Sequence, residues 1–166
     1  MRREQRDREF EEFVTAAWPR LRRASFLLTH HTQDAEDLLQ HVLIRAYAAW
    51  PRVRRDEAYA YVHRSLVNAY IDSTRRRRPT PTEVADRPVP SGESVIDDRS
   101  ELLDLLGPLT PRERAVVVLR HYLATPEREV AAALGVTPGT VKSTASRAFA
   151  RLRASQHPTD QKGSTP

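Results

Sequence analysis

"PEREVAAALGVTPGTVKSTASRAFARLR", residues 126–153, decides the fold, because its small and apolar residues fall at the spacing of a helix-turn-helix. Ala131 is small where two helices would cross closely, Gly135 stands at the turn four residues later, and Val141 supplies an apolar contact six residues after that. On the last helix Val141, Ala145, Ala148 and Leu152 form one apolar face. Thr140, Ser143 and Arg147 fall outward, with Lys142 and Ser146 beside them. From 137 to 153 that helix carries Lys142, Arg147, Arg151 and Arg153 and no acid, whereas Glu127 and Glu129 sit on the helix before it. The positive element is the one expected to enter a DNA groove, hydroxyls and amides to phosphate, Lys142 or Arg147 to base acceptors.

Working outward, apolar residues recur at three- and four-residue steps and no strand pattern appears, so the chain reads as all-α. Helices are expected near 7–29, 33–49 and 57–76, then near 99–106, 111–122, 127–134 and 138–153. Residues 79–98, "PTPTEVADRPVPSGESVIDD", carry four prolines and a glycine without helical period, which marks a flexible linker. The expected organisation is two small helical domains, 1–78 and 99–153, joined by residues 79–98, with a disordered tail at 154–166. Twenty linker residues reach at most about 65 Å at roughly 3.3 Å each, so the domains need not touch.

Charge follows the same division. Residues 1–78 hold 16 basic and 11 acidic side chains, 79–98 hold 1 and 5, and 99–153 hold 9 and 5, so two basic blocks flank an acidic strip. That distribution suits two units meeting a polyanion. Arginine outnumbers lysine 25 to 2, which a GC-rich genome would also produce. The chain contains no cysteine, which excludes disulfides and thiolate metal sites. No apolar run approaches the roughly 18 residues of a membrane span, and "MRREQRDREF" lacks the apolar core of a secretory signal, so the cytoplasm is the expected compartment.

Two helices of the first domain carry more than a core. "TQDAEDLLQHVLIRAYAAWP", 32–51, begins with a capping-type Thr32 and places Asp34, Glu36 and Asp37 in its first turn. Ala35, Leu38, Leu39, Val42 and Ala46 form its core face, and Asp34, Asp37, His41 and Arg45 line an available one. In "DEAYAYVHRSLVNAYIDSTRRRR", 56–78, Ala58, Val62, Leu66 and Ala69 make the apolar stripe. Arg64, Asn68, Asp72 and Arg75 make a polar one that runs into Arg75, Arg76, Arg77 and Arg78. One or two cations suffice to complement a helix C-terminus, and four adjacent ones repel unless an anion such as a phosphate backbone collects them. The preceding loop adds Arg52, Arg54 and Arg55 near Trp50 and Tyr59, a mixture that suits an unstacked single strand or, for the aromatics, a core.

These residues, in this order, resemble an extracytoplasmic-function (ECF) sigma factor of the sigma-70 family. The likeness rests on "DAEDLLQHVLIRAYAAW" (34–50), "AYVHRSLVNAYIDSTRRRRP" (60–79) and "LGPLTPRERAVVVLRHYLATPEREVAAALGVTPGTVKSTASRAFARLR" (106–153). It implies a sigma region 2 bundle, a sigma region 4 helix-turn-helix, and binding of core RNA polymerase and promoter DNA. Asp34, Asp37, Gln40 and His41 would meet the polymerase. Arg52, Arg54, Arg55, Asp56, Arg64, Asn68, Asp72 and Arg75 to Arg78 would hold the −10 element, and Thr140, Lys142, Ser143, Ser146 and Arg147 would read the −35 element. The same likeness admits an inhibitory anti-sigma protein as a partner and implies no catalytic residue, metal, cofactor, membrane anchor or small-molecule substrate.

The sequence departs from that family in three places. His41 stands where many relatives have an acid, Val62 and His63 replace a strand-unstacking aromatic pair, and Thr125-Pro126 replaces a more usual cap. Two other classes compete. A dimeric helix-turn-helix regulator acting without polymerase would use 106–153 alone, and an enzyme would need His30 and His31 to work with Asp34, Glu36 and Asp37. The first leaves both helices of the first domain idle, and the second lacks any recognisable nucleophile, phosphate-loop or metal spacing.

Overall fold

The computed structural model describes residues 2–77 and 104–157. Arg78, the 79–98 linker, most of the expected 99–106 helix and the end of the tail lie outside the described residues; the start of the expected tail, 154–156, is instead helical, continuing the last helix to Gln156. Among the described residues every regular element is helical: α1 (Arg3–Thr29), α2 (Thr32–Ala49), α3 (Ala58–Arg76), α4 (Pro111–Val117), α5 (Glu127–Leu134) and α6 (Pro138–Gln156). Short 3₁₀ turns at Trp50–Arg52 and Arg55–Glu57 join α2 to α3, and residues 104–106 form a helical turn ahead of α4.

The local signals act much as expected, with instructive exceptions. Ala35, Leu38, Leu39, Val42 and Ala46 of α2 are all buried. Thr32, however, is the first helical residue rather than the cap; His31 holds the N-cap position without a side-chain bond. The turn before it is made by His30, whose φ of 62° ends α1 in the left-handed region and whose amide bonds to the Phe26 carbonyl. Thr110 and Glu113 form a reciprocal capping box at the start of α4. After Val117 the expected 111–122 helix loosens into a π-helical turn, Val118–Tyr122, which closes with the Leu123 amide on the Val118 carbonyl at 2.9 Å.

The helix-turn-helix forms where its spacing placed it. Gly135 takes φ 65°, a conformation open to glycine, and α5 ends as the Val136 amide bonds to the Ala131 carbonyl at 3.0 Å. Thr137 then caps α6 by accepting the Thr140 amide at 3.2 Å, with Pro138 as first helical residue. Val141, Ala148 and Leu152 are buried and Ala145 is partly so.

The two bodies are in contact. α3 packs on α5, α1 touches α4 and the π-helical turn, and the buried apolar residues of both bodies form one continuous cluster. That contact explains a second buried stripe on α3. Beside Ala58, Val62 and Leu66, the helix buries His63, Val67 and Tyr70. At Thr125 the unusual residue does not cap α5; it is buried, and its hydroxyl lies 3.3 Å from His63 Nδ1.

Candidate nucleic-acid and polymerase interfaces

α6 presents the second body's candidate face. Lys142, Ser143, Ser146 and Arg147 are exposed and Thr140 is half-buried beside them. They share a side because α6 turns its apolar residues onto α4 and α5. The Ser143 hydroxyl donates to the Thr140 carbonyl at 3.0 Å, and Lys142 Nζ lies 3.9 Å from Glu127. Thr144, which the sequence did not single out, is buried and accepts from Arg147 Nη2 at 3.2 Å, which orients that guanidinium. Its place four residues before Ala148 on the apolar stripe was the available signal. Arg151, off the candidate face, bonds to buried Glu113 at 3.1 Å and ties α6 to α4.

In the first body, Arg64, Asn68, Asp72, Arg75 and Arg76 are exposed along one side of α3. Arg77 behaves differently. Its guanidinium forks onto Asp34 of α2, with Nη1 to Oδ2 at 2.6 Å and Nη2 to Oδ1 at 3.0 Å. This pairing raises the arginine's proton affinity further and joins a residue expected at the DNA to one expected at the polymerase. In the loop, Arg52 is exposed, while Arg54 forks onto Asp56 at 3.2 and 2.9 Å. Arg55 pairs with Glu9 of α1 and stacks 4.3 Å from the Trp50 ring centre. Trp50 is core, 1 % exposed among Phe10 and Phe13, whereas Tyr59 stays 48 % exposed against Phe13. Of the two aromatics near the arginines, Tyr59 is the one open to a base.

On α2, Asp37, Gln40 and His41 are exposed, and Asp37 accepts from Gln33 Nε2 at 2.9 Å. Asp34 is the more enclosed, its side chain 19 % exposed under Arg77. Gln40 also borders an apolar groove of about 650 Å³ between α1 and α2, lined by Trp18, Phe26, Leu43 and Ile44 among others. Nothing in the sequence reading anticipates it. Its signal was the four-residue steps Trp18, Arg22, Phe26 and Leu39, Leu43, Tyr47, which leave Trp18 and Ile44 exposed.

Two histidines face the contact between the bodies. Burial lowers His63 to about 4, with the Arg20 charge acting the same way. Burial also lowers His30 to about 4, with help from Arg114 and His31, and its Nε2 is buried without a partner.

Comparison with known families agrees with this geometry. Residues 13–80 match the model of sigma-70 region 2, and residues 99–152 match sigma-70, region 4. The chain is 42% identical over 149 residues to an RNA polymerase sigma-E factor of Streptomyces avermitilis, covering 87% of this chain and 83% of that protein. It is 31% identical over 146 residues to the ECF RNA polymerase sigma factor SigM of Mycobacterium tuberculosis, covering 86% and 74%. Among solved structures it is similar to the sigma factor RpoE of Bartonella quintana, seen in complex with the anti-sigma factor NepR, with a TM-score of 0.70 and 25% identity over 92% of this chain and 99% of that one. The region 2 and region 4 matches, in that order and over most of the chain, together with the likeness to a relative named an ECF factor, show that it belongs to the sigma-70 family, in its extracytoplasmic-function branch.

Proposed function

We propose that the chain directs bacterial RNA polymerase to a class of promoters by holding their −10 and −35 elements. Asp37, Gln40 and His41 of α2, with Asp34 where Arg77 releases it, dock on core polymerase. Arg52, Arg54, Arg55 and Asp56 of the loop and Arg64, Asn68 and Asp72 of α3 meet the opened −10 strand, and Tyr59 offers a stacking surface to an unpaired base. Arg75 to Arg78 hold the adjacent backbone. In the second body, Thr140, Ser143 and Ser146 position α6 against phosphates while Lys142 and Arg147 reach base acceptors in the −35 major groove.

The chain makes and breaks no bond and calls on no cofactor, metal or small-molecule substrate. It acts in the cytoplasm, where the polymerase is. An anti-sigma protein is a further partner, supported by likeness to a sigma factor seen bound to one. The observation that carries the reading is the exposed, acid-free face of α6 following, in one chain, a bundle whose α3 ends in consecutive arginines.

Affinity retention on core polymerase, followed by footprinting of the bound DNA, tests it. Retention with an asymmetric footprint over two elements supports the reading. DNA binding without retention, on a two-fold repeated site, would identify a polymerase-independent helix-turn-helix regulator instead.

A further inference from the structure

The packed side of α6 carries a polar atom that neither packing nor helix propensity calls for. Thr144 is 2 % exposed and belongs to the same buried set as Val141, Ala148 and Leu152. A valine there would fill the same volume at similar helix propensity and bring no hydroxyl. A buried hydroxyl costs free energy unless it is hydrogen-bonded. Among the described residues, the side chain bonded to it is that of Arg147, whose Nη2 donates to Thr144 Oγ1 at 3.2 Å. The two are three residues apart, a spacing that sets side chains on one side of a helix.

The basic residues of α6 are tethered in two ways. Lys142 lies 3.9 Å from Glu127, and Arg151 bonds to Glu113 at 3.1 Å, so each of these cations has a carboxylate beside it. Arg147 is exposed, and among the described residues its tether is the neutral Thr144 hydroxyl. A carboxylate tether offsets the charge that a base acceptor would meet. A hydroxyl takes one N–H and leaves the charge and the remaining N–H groups of the guanidinium for another partner. The acceptor is also a fixed point, since a β-branched side chain is stiff at χ1 and this one is held by burial. A long arginine side chain otherwise loses much rotamer freedom when it settles on a base, and a guanidinium already held in place loses less.

We propose that Thr144 is a positioning residue for −35 reading: it holds the Arg147 guanidinium for bidentate bonding to O6 and N7 of a guanine, so that preference for guanine at one base pair depends on a hydroxyl that does not itself touch DNA. The proposal rests on the sigma-factor reading above and deepens it, naming the base that Arg147 reads and the residue that sets its aim.

The full chain, alone and loaded on core polymerase, is allowed to select from a pool of duplexes randomised over the −35 element, and the bound DNA is sequenced. Wild type should enrich guanine at one position whose preference Arg147→Ala abolishes. Thr144→Val, which keeps the shape and removes the oxygen, should reduce the preference at that same position about fivefold or more, with the other positions within about twofold. Thr144→Ala, a smaller side chain that lacks the same hydroxyl, should give the same profile. Thr144→Ser, which restores the hydroxyl, should return the preference to within about twofold of wild type. Thermal unfolding of each variant separates aim from packing, because a merely structural role would weaken every position together and follow the loss of stability. Guanine preference kept by both Thr144→Val and Thr144→Ala, uniform weakening at all positions, or an Arg147→Ala profile that singles out no guanine would each overturn the proposal. Run-off transcription by the wild-type chain separates the two claims: with transcripts present, those results defeat the role of Thr144 alone, and absence of transcripts defeats the sigma-factor reading.

Discussion

On α6, Lys142, Ser143, Ser146 and Arg147 stand in the open, with Lys142 3.9 Å from Glu127. On the first body, Arg54, Arg55 and Arg77 each already meet a carboxylate, from Asp56, Glu9 and Asp34. Both surfaces are basic by sequence, yet on the proposed reading α6 would meet DNA as it stands, whereas Arg54, Arg55 and Arg77 of the first body would trade protein carboxylates for phosphates. Such pairs at the surface are worth only about 0–1 kcal/mol each, so the trade is feasible. It also leaves Asp34 exposed when Arg77 departs, on the helix expected to dock on polymerase. On the proposed assignment of these two residues, occupation of the −10 backbone and of the polymerase surface would be linked through this one pair.

The largest expected effect comes from replacing Arg75, Arg76, Arg77 and Arg78 together with alanine. Promoter binding should weaken and its salt dependence should flatten by about 0.9 in slope for each duplex phosphate that is no longer neutralised. The asymmetry sharpens this: Arg77→Ala alone should change the slope less than Arg75→Ala or Arg76→Ala, because its guanidinium is partly committed to Asp34. Equal slopes for the three, read from salt titrations, would break the comparison. Next, Arg147→Ala should cost about 1–3 kcal/mol on the matched −35 duplex and relax preference there, if the guanidinium meets a base edge. Equal weakening on matched and random duplex would mean that it meets phosphate alone.

The second body's face was legible because its determinants are local. Gly135, Thr137 and Val141 act within a few residues of the turn, and the apolar stripe of α6 fixes which side is outward. In the first body the core face of α2 was legible for the same reason. Its ion pairs were not, since Asp34 and Arg77 are 43 residues apart and meet only after α2 and α3 pack. Nor was the second buried stripe of α3, because His63, Val67 and Tyr70 are covered partly by residues beyond the linker, such as Thr125. The Thr32 cap failed differently: His30 could take the left-handed turn without a glycine, which moved the helix start by one residue.

A smaller effect tests the local origin of α6. Thr137→Ala removes the hydroxyl that accepts the Thr140 amide and should lower stability by about 1 kcal/mol in thermal or denaturant unfolding. Because the cap also orients Thr140, −35 affinity should fall with it. Weaker affinity at unchanged stability would mean the hydroxyl touches DNA directly.

The smallest expected effect is on pH. His63 is held to about 4 against an ordinary 6.5, so the opened or unfolded chain takes up the proton first. The contribution is complete above about pH 6.5 and is lost as pH falls toward 4; between pH 7 and 6 the change should stay below about 1 kcal/mol. His30, also lowered to about 4, acts in the same direction from the end of α1, so His63→Gln should flatten the dependence only in part. Stability that rises on acidification through this window would contradict the placement of both rings.

Run-off transcription with purified core polymerase, on genomic promoters and on versions altered in the −10 or the −35 element alone, tests most directly whether two helical bodies of one chain read two parts of one promoter. Defined transcripts that are weakened by either alteration are the predicted result. Absence of chain-dependent transcripts, or transcripts indifferent to one of the two elements, would contradict it.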